Sequence, residues 1–198
     1  MNYFRLLQNL YQMKRNAGKT REQLRRLQEK KLRKLLLFAY ENSAYYHRTF
    51  EQAGITGKQI PNLPLNRFPS IDKREFLEHF DELVTIPGLS QEELRRFDEE
   101  EPADRRRFRD NCHVVHSSGS TGKPGYFVYD EKAWNEMLVG IIRAALWNMT
   151  MPQILKMLSG GLRIVYIAAT DGRYGGAMAV GDGIKGVHAS QLFLDIKT

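Results

Sequence analysis

A chain of 198 residues with 42% hydrophobic side chains is long enough to bury a sizeable core in one large or two small domains, and too apolar for wholesale disorder. Its net charge of +7 is unevenly placed: residues 1–36 hold eleven Lys and Arg against Glu22 and Glu29, while the remainder carries a slight acidic excess. A single cysteine, Cys112, excludes an intrachain disulfide and fits a reducing, cytoplasmic setting.

The opening, MNYFRLLQNLYQMKRN, lacks the long apolar core and small-residue cleavage site of a secretory signal. Residues 1–16 and 20–53 are predicted helical, with Gly18 as a break and Gly54 as a stop. Leu24, Leu27, Leu35 and Leu36 recur at roughly helical spacing, surrounded by Arg21, Arg25, Arg26, Lys30 and Lys34. Such a basic segment either meets nucleic acid or an anionic membrane, or is a surface helix with solvated side chains. The second reading is preferred, and no nucleic-acid partner is expected. No aromatics interleave the basic run between Lys14 and Lys34, and no nucleic-acid-binding motif is present.

Residues 54–72 are predicted as a Pro/Gly-rich loop, and Ser70 or Asp72 caps a helix through KREFLEHFDEL, residues 73–83. Residues 90–110 are dense in both charges and predict a solvated helix and a turn at Pro102. NCHVVH and GYFVYD, residues 111–116 and 125–130, are predicted strands. A helix over 131–149 carries Trp134, Met137, Leu138, Ile141, Ile142 and Leu146. The window 137–158 is the most apolar of the chain. Arg143, Asn148, Pro152, Gln153 and Lys156 interrupt it, so soluble helices are expected and no transmembrane segment. RIVYIAAT (163–170) and SQLFLDI (190–196) are predicted strands around a glycine-rich turn and helix, an order that implies a parallel α/β layer. The expected fold class is α/β, with a helical, basic region over 1–90 and a partial α/β nucleotide-binding region over 91–198.

Between the two middle strands lies HSSGSTGKPG, residues 116–125. It is not a Walker A loop: Ser117 stands where the first glycine belongs, Pro124 follows Lys123 where Ser or Thr belongs, and a strand follows in place of a helix. It is richer than a hairpin turn requires. Gly119 and Gly122 let backbone N–H groups converge on an anion, Ser117, Ser118, Ser120 and Thr121 add hydroxyls, and Lys123 adds a positive charge. Phosphate binding is preferred to a plain polar turn.

Other clusters carry less. Cys112, His113 and His116 lie close together, but strand alternation separates His113 from the other two, and His47, His79 and His188 are scattered, so no metal site is expected. Cys112 in an apolar run is expected to be packed, not nucleophilic. The acidic stretch 98–104 lacks calcium-loop spacing and is expected to face solvent. Trp134 and Trp147, thirteen residues apart on one predicted helix, are expected in core and interface.

SSGSTGKP resembles the Ser/Thr/Gly-rich nucleotide loop of the adenylate-forming enzymes, the acyl- and aryl-CoA ligases. Residues 32–55 and 63–80 are similar to the opening blocks of the phenylacetate–CoA ligase branch, which includes capsule-biosynthesis and coenzyme F390 synthetase relatives. YGGAMAVGDGIKG, residues 174–186, loosely matches a glycine-rich stretch near the acyl pocket. The resemblance implies that Ser117, Ser118, Gly119, Ser120, Thr121, Gly122 and Lys123 hold ATP phosphates, and that Tyr174, Gly175 and Gly176 lie near a carboxylic acid substrate. It implies ATP, Mg²⁺ and coenzyme A as reaction partners. The aromatic-Gly-x-Thr-Glu motif of that family, its ribose-binding aspartate and its catalytic lysine on a mobile C-terminal domain are not found; no Thr-Glu pair occurs. The chain is therefore expected to be an N-terminal portion, inactive in adenylation by itself. An unfinished sheet is expected to favour a homodimer. The alternative is a non-catalytic interaction module acting through the basic helices.

Overall fold

A computed structural model of the chain describes residues 3–100, 107–117, 124–146, 148–150, 152, 153, 156, 159, 162–168, 174–182 and 189–195. The turn expected at Pro102, the second tryptophan, Trp147, and the final residues of both C-terminal strands as drawn above lie outside them. The chain forms two compact units, Gly18–Arg95 on the one hand and Met1–Ala17 with Arg96–Thr198 on the other. The N-terminal helix is thus grouped with the second unit, not with the helices that follow it.

The unit Gly18–Arg95 is helical. Helix α2 (Arg21–Asn42) begins at a capping box in which the Gln23 N–H donates to Thr20 Oγ1 and the Thr20 N–H donates to Gln23 Oε1. The single helix expected over 20–53 is broken at Ser43, which caps the end of α2 and the start of α3 (Ala44–Gln52). The break has a packing cause. Ser43 is 2% exposed, its hydroxyl accepts from the Tyr46 N–H, and it donates at 2.9 Å to the Glu82 carbonyl of a later helix. Gly54 ends α3 with φ +72°, as its glycine identity suggests.

Asp72 caps α4 (Lys73–Glu78) through a second box with Glu75, at 2.8 and 3.1 Å. The helix expected through residue 83 divides at His79 into α4 and α5 (Phe80–Leu83). The Arg48 guanidinium, with His79 adding to it, holds the Glu82 carboxyl below the usual carboxylate range. The core is Phe50, Ile55 and Ile60, with Leu36, Leu37, Tyr40, Tyr46, Leu63 and Phe68 packed on it.

In the second unit α1 (Tyr3–Ala17) packs beside α7 (Glu131–Leu146), and α6 (Gln91–Glu100) enters from the first unit. A tight turn leads into β1: Phe108 and Cys112 exchange two 2.9 Å backbone bonds across Arg109 and Asp110, whose φ angles are 47° and 64°. Strands β1 (Cys112–His116) and β2 (Tyr126–Asp130) pair antiparallel in the register Cys112↔Asp130 to His116↔Tyr126. The strand–loop–strand order expected around residues 116–125 is therefore present. Across this hairpin lies α7, with Val115, Trp134, Leu138 and Ala179 as a buried cluster supported by Tyr129, Met137 and Met178.

Strands β3 (Leu162–Ile167) and β4 (Ala189–Leu194) pair in parallel, with α8 (Gly175–Asp182) between them in the chain. This is the expected strand–helix–strand layer, and it makes the fold α/β. The side chains of Val165, Ile167, Leu192 and Leu194 form an exposed apolar face, 45–64% accessible. Among the described residues no helix is long and apolar enough to cross a membrane.

Trp134, 2% exposed and stacked on His113, should tolerate truncation worst: Trp134→Ala is expected to cost about 3–5 kcal/mol in a denaturant titration. Asp72→Ala removes only a cap and is expected to cost about 1 kcal/mol in the same experiment.

Candidate functional site

The hairpin brings the two ends of the Ser/Gly loop together. The Ser117 N–H donates to the Gly125 carbonyl at 2.9 Å, and the Gly125 N–H donates to Ser117 Oγ, also at 2.9 Å. The first bond continues the β1–β2 ladder by one step, and in the second the Ser117 side chain stands in for its carbonyl, so Ser117 and Gly125 clasp the end of the hairpin. Ser117 thus uses one lone pair of its hydroxyl on the hairpin and retains its proton as a donor. The remaining loop residues read from the sequence, Ser118, Gly119, Ser120, Thr121, Gly122 and Lys123, lie outside the described residues.

Four side chains gather at the foot of the loop. His116 ends β1, and its Nδ1 lies 3.0 Å from the Ser117 carbonyl oxygen. Its Nε2 lies 3.9 Å from Asp98 Oδ2, and the Tyr126 hydroxyl donates to the same oxygen at 3.3 Å. The Tyr174 ring is tilted against the His116 ring with centroids 5.0 Å apart. Tyr174, which opens the glycine-rich segment 174–176, and His116 at the end of β1 are therefore neighbours in space, although 58 residues apart in the chain.

Gly175 and Gly176 have different surroundings. A β-carbon at Gly175 would make an ordinary contact with Val115 Cγ1 at 3.7 Å, whereas one at Gly176 would run into the Tyr166 hydroxyl. A side chain at 176 would therefore displace the Tyr166 ring, a packing reason for glycine there that involves no ligand.

Asp98 corrects one expectation. The stretch 98–104 is expected to face solvent, yet the Asp98 side chain is only 17% exposed. The signal was present in the sequence: Asp98 is four residues from Leu94, which is fully buried, and so shares the buried face of α6. His116 was considered only as a metal ligand. Its neighbours are Asp98 and two tyrosines, and His113 is held elsewhere, stacked on Trp134 with centroids 4.2 Å apart and planes 9° apart. Among the described residues no group of three His, Cys, Asp or Glu is placed to hold a metal ion.

Cys112 is 7% exposed, and its thiol donates to Asn111 Oδ1 at 3.2 Å. Burial pushes the thiol pKa up, the Asp130 carboxylate adds to the effect, and Arg109 opposes it. Little thiolate exists at neutral pH, which is the wrong direction for a nucleophile.

Two outcomes test this local description. Iodoacetamide at neutral pH is expected to leave Cys112 unmodified in the folded chain and to alkylate it after denaturation, read by mass. Gly175→Ala is expected to change stability by no more than about 0.5 kcal/mol, while Gly176→Ala costs about 1–3 kcal/mol, part of which Tyr166→Phe restores.

No protein-family profile matches the chain. Over 130 residues it is 32% identical to a phenylacetate-coenzyme A ligase of Thermus thermophilus, a match covering 63% of this chain and 25% of that protein. Among solved structures, a 2-hydroxyisobutyryl-CoA ligase in the postadenylation state, in complex with 2-HIB-AMP, aligns with a TM-score of 0.47 and 19% identity. That alignment covers 83% of this chain and 30% of the ligase. By sequence the chain is similar to part of a phenylacetate-coenzyme A ligase, and the match spans about a quarter of that protein's length.

Proposed function

We propose that the chain supplies the phosphate-holding part of an enzyme that activates a carboxylic acid with ATP. Residues 91–198 are assigned to nucleotide handling and residues 1–90 to a helical, basic region. The observation that carries the reading is the sequence SSGSTGKP inserted between two antiparallel strands whose ends are clasped by Ser117 and Gly125, in a chain related to CoA ligases.

In this reaction a carboxylate oxygen attacks the α-phosphorus of ATP, the bond to the bridging oxygen breaks, and pyrophosphate leaves. The thiol of coenzyme A then attacks the acyl carbon and AMP departs with the bonding pair. Negative charge grows on the leaving phosphates in the first step. Backbone N–H groups of Gly119 and Gly122, the hydroxyls of Ser117, Ser118, Ser120 and Thr121, and the Lys123 ammonium are of the type that offsets it. This donor set fits phosphate oxygens. It offers no carboxylate to a cation, so Mg²⁺ would be brought by the nucleotide, where it supplies further charge neutralisation. Tyr174, Gly175 and Gly176 are assigned to the side of the site that receives the acid, because Tyr174 stands against the last residue of β1. An aryl or acyl acid is the substrate class, ATP and coenzyme A are the co-substrates, a cytoplasmic setting is assigned, and the 198 residues alone are not expected to complete the reaction.

A second reading rests on a different observation. Leu35 and Phe38, 63% and 49% exposed, stand on α2 among Lys31, Lys34 and the other basic residues of that helix. Such a face suits an acidic protein surface, and a chain using it would act as an interaction module without catalysis.

Calorimetry of the purified chain with Mg-ATP distinguishes the two. Binding that Lys123→Ala weakens by about tenfold or more, the loss expected for one charged hydrogen bond, supports the phosphate reading. A folded chain that takes up no Mg-ATP overturns it and leaves the interaction module.

A further inference from the structure

Asp98, His116, Tyr126 and Tyr174 come from α6, the end of β1, the start of β2 and the residue before α8. No short-range pattern joins them, yet they meet around one imidazole. Both ring nitrogens face oxygens: Nδ1 the Ser117 carbonyl at 3.0 Å, Nε2 the Asp98 carboxylate at 3.9 Å. The ring itself lies between two tyrosines, edge-on to Tyr126 with centroids 6.4 Å apart and tilted against Tyr174 at 5.0 Å. Asp98 is in turn held by the Tyr126 hydroxyl. The His116 and Asp98 side chains are 15% and 17% exposed, so both have little freedom to reorient.

Ser117 is where the chain leaves β1, and its three polar groups are all engaged. The N–H and hydroxyl are bonded to Gly125, and the carbonyl faces His116. The direction of that carbonyl sets the direction of the peptide unit that begins the loop, because the peptide is planar. We propose that His116 is a positioning residue for Ser117: with Asp98 and Tyr126 on one side and Tyr174 on the other, it fixes the Ser117 carbonyl and so holds in place the first of the assigned phosphate donors. The inference rests on the reading of residues 117–123 as a phosphate site. It adds a link between two parts of that site, since Tyr174 opens the segment assigned to the acid and touches the residue that orients Ser117.

The test uses the full chain in four forms: wild type, His116→Phe, His116→Asn and Asp98→Asn. Two readouts are taken, hydrogen exchange at the Ser117 and Gly125 amides and calorimetry with Mg-ATP. His116→Phe retains a ring against Tyr126 and Tyr174 and loses both nitrogens. It is expected to keep the wild-type melting temperature, to exchange Gly125 about tenfold faster and to bind Mg-ATP about tenfold more weakly. His116→Asn, whose amide reaches toward the same carbonyl as Nδ1, is expected to recover much of the Gly125 protection, which a packing role would not produce. Wild-type exchange in His116→Phe, or an Asn variant as unprotected as the Phe variant, overturns the proposal. Should His116→Phe fail to fold, Asp98→Asn is read in the same way, with unchanged exchange at Gly125 overturning it. A wild-type chain that binds no Mg-ATP removes the phosphate reading alone, since the exchange data still decide whether His116 positions Ser117.

Discussion

The reciprocal bonds between Ser117 and Gly125 are the constraint on which the candidate site depends. A loop of small polar residues between two strands has many conformations, and each backbone unit fixed costs about 1–2 kcal/mol of entropy. Closing its mouth with two hydrogen bonds removes part of that cost from any later binding step. It also determines what the loop can be. A Walker-type loop has one end in a helix, whose N-terminal N–H groups and dipole attract the phosphate. Here both ends are in an antiparallel ladder, so attraction for an anion has to come from glycine N–H groups, hydroxyls and Lys123.

That clasp is only as firm as the hairpin beneath it, and two short strands in isolation are marginally stable. Helix α7 makes the difference. Trp134 and Leu138 press against Val115, and His113 lies flat on the indole, so the inward residues of β1 are all covered. Ala179 joins the same cluster from α8, which brings the segment beginning at Tyr174 to the end of β1. The arrangement of the site therefore follows from ordinary packing: once the Trp134 cluster forms, His116, Tyr126 and Tyr174 have little choice but to be neighbours. The outer face of the β3–β4 pair is different, because Val165, Ile167, Leu192 and Leu194 remain accessible.

Local features were legible in the sequence and distant ones were not. Strand–loop–strand order around residue 120 followed from β-branched and aromatic runs on either side of a Gly/Ser stretch, and the parallel β3–β4 layer from strand–helix–strand spacing. Asp72 and Gly54 were identifiable because a cap and a left-handed stop depend on neighbours within four residues. The break at Ser43 was hidden because its cause, the Glu82 carbonyl, lies 39 residues away. The same holds for the site. The candidate loop was proposed from its own residues, whereas Asp98 takes its meaning from Tyr126 and His116, contacts of 28 and 18 residues' separation. Its helical phase with Leu94 was the one local clue, obscured by the carboxylates that follow it.

The glycines at 175 and 176 bear on how such a segment should be interpreted. A glycine-rich stretch beside a loop invites the view that its glycines make room for a ligand. Gly176 has a sufficient reason of another kind, since a β-carbon there collides with Tyr166, which is held in β3 against Phe193. Gly175 has no such obstacle, since a β-carbon there makes only an ordinary contact with Val115. The ligand argument for this segment is strongest at Tyr174, whose ring meets His116, a side chain that faces the Ser117 carbonyl. Under the proposed role of His116, changes in α6 or at Tyr174 act on Ser117 through the His116 ring and not by direct contact with it.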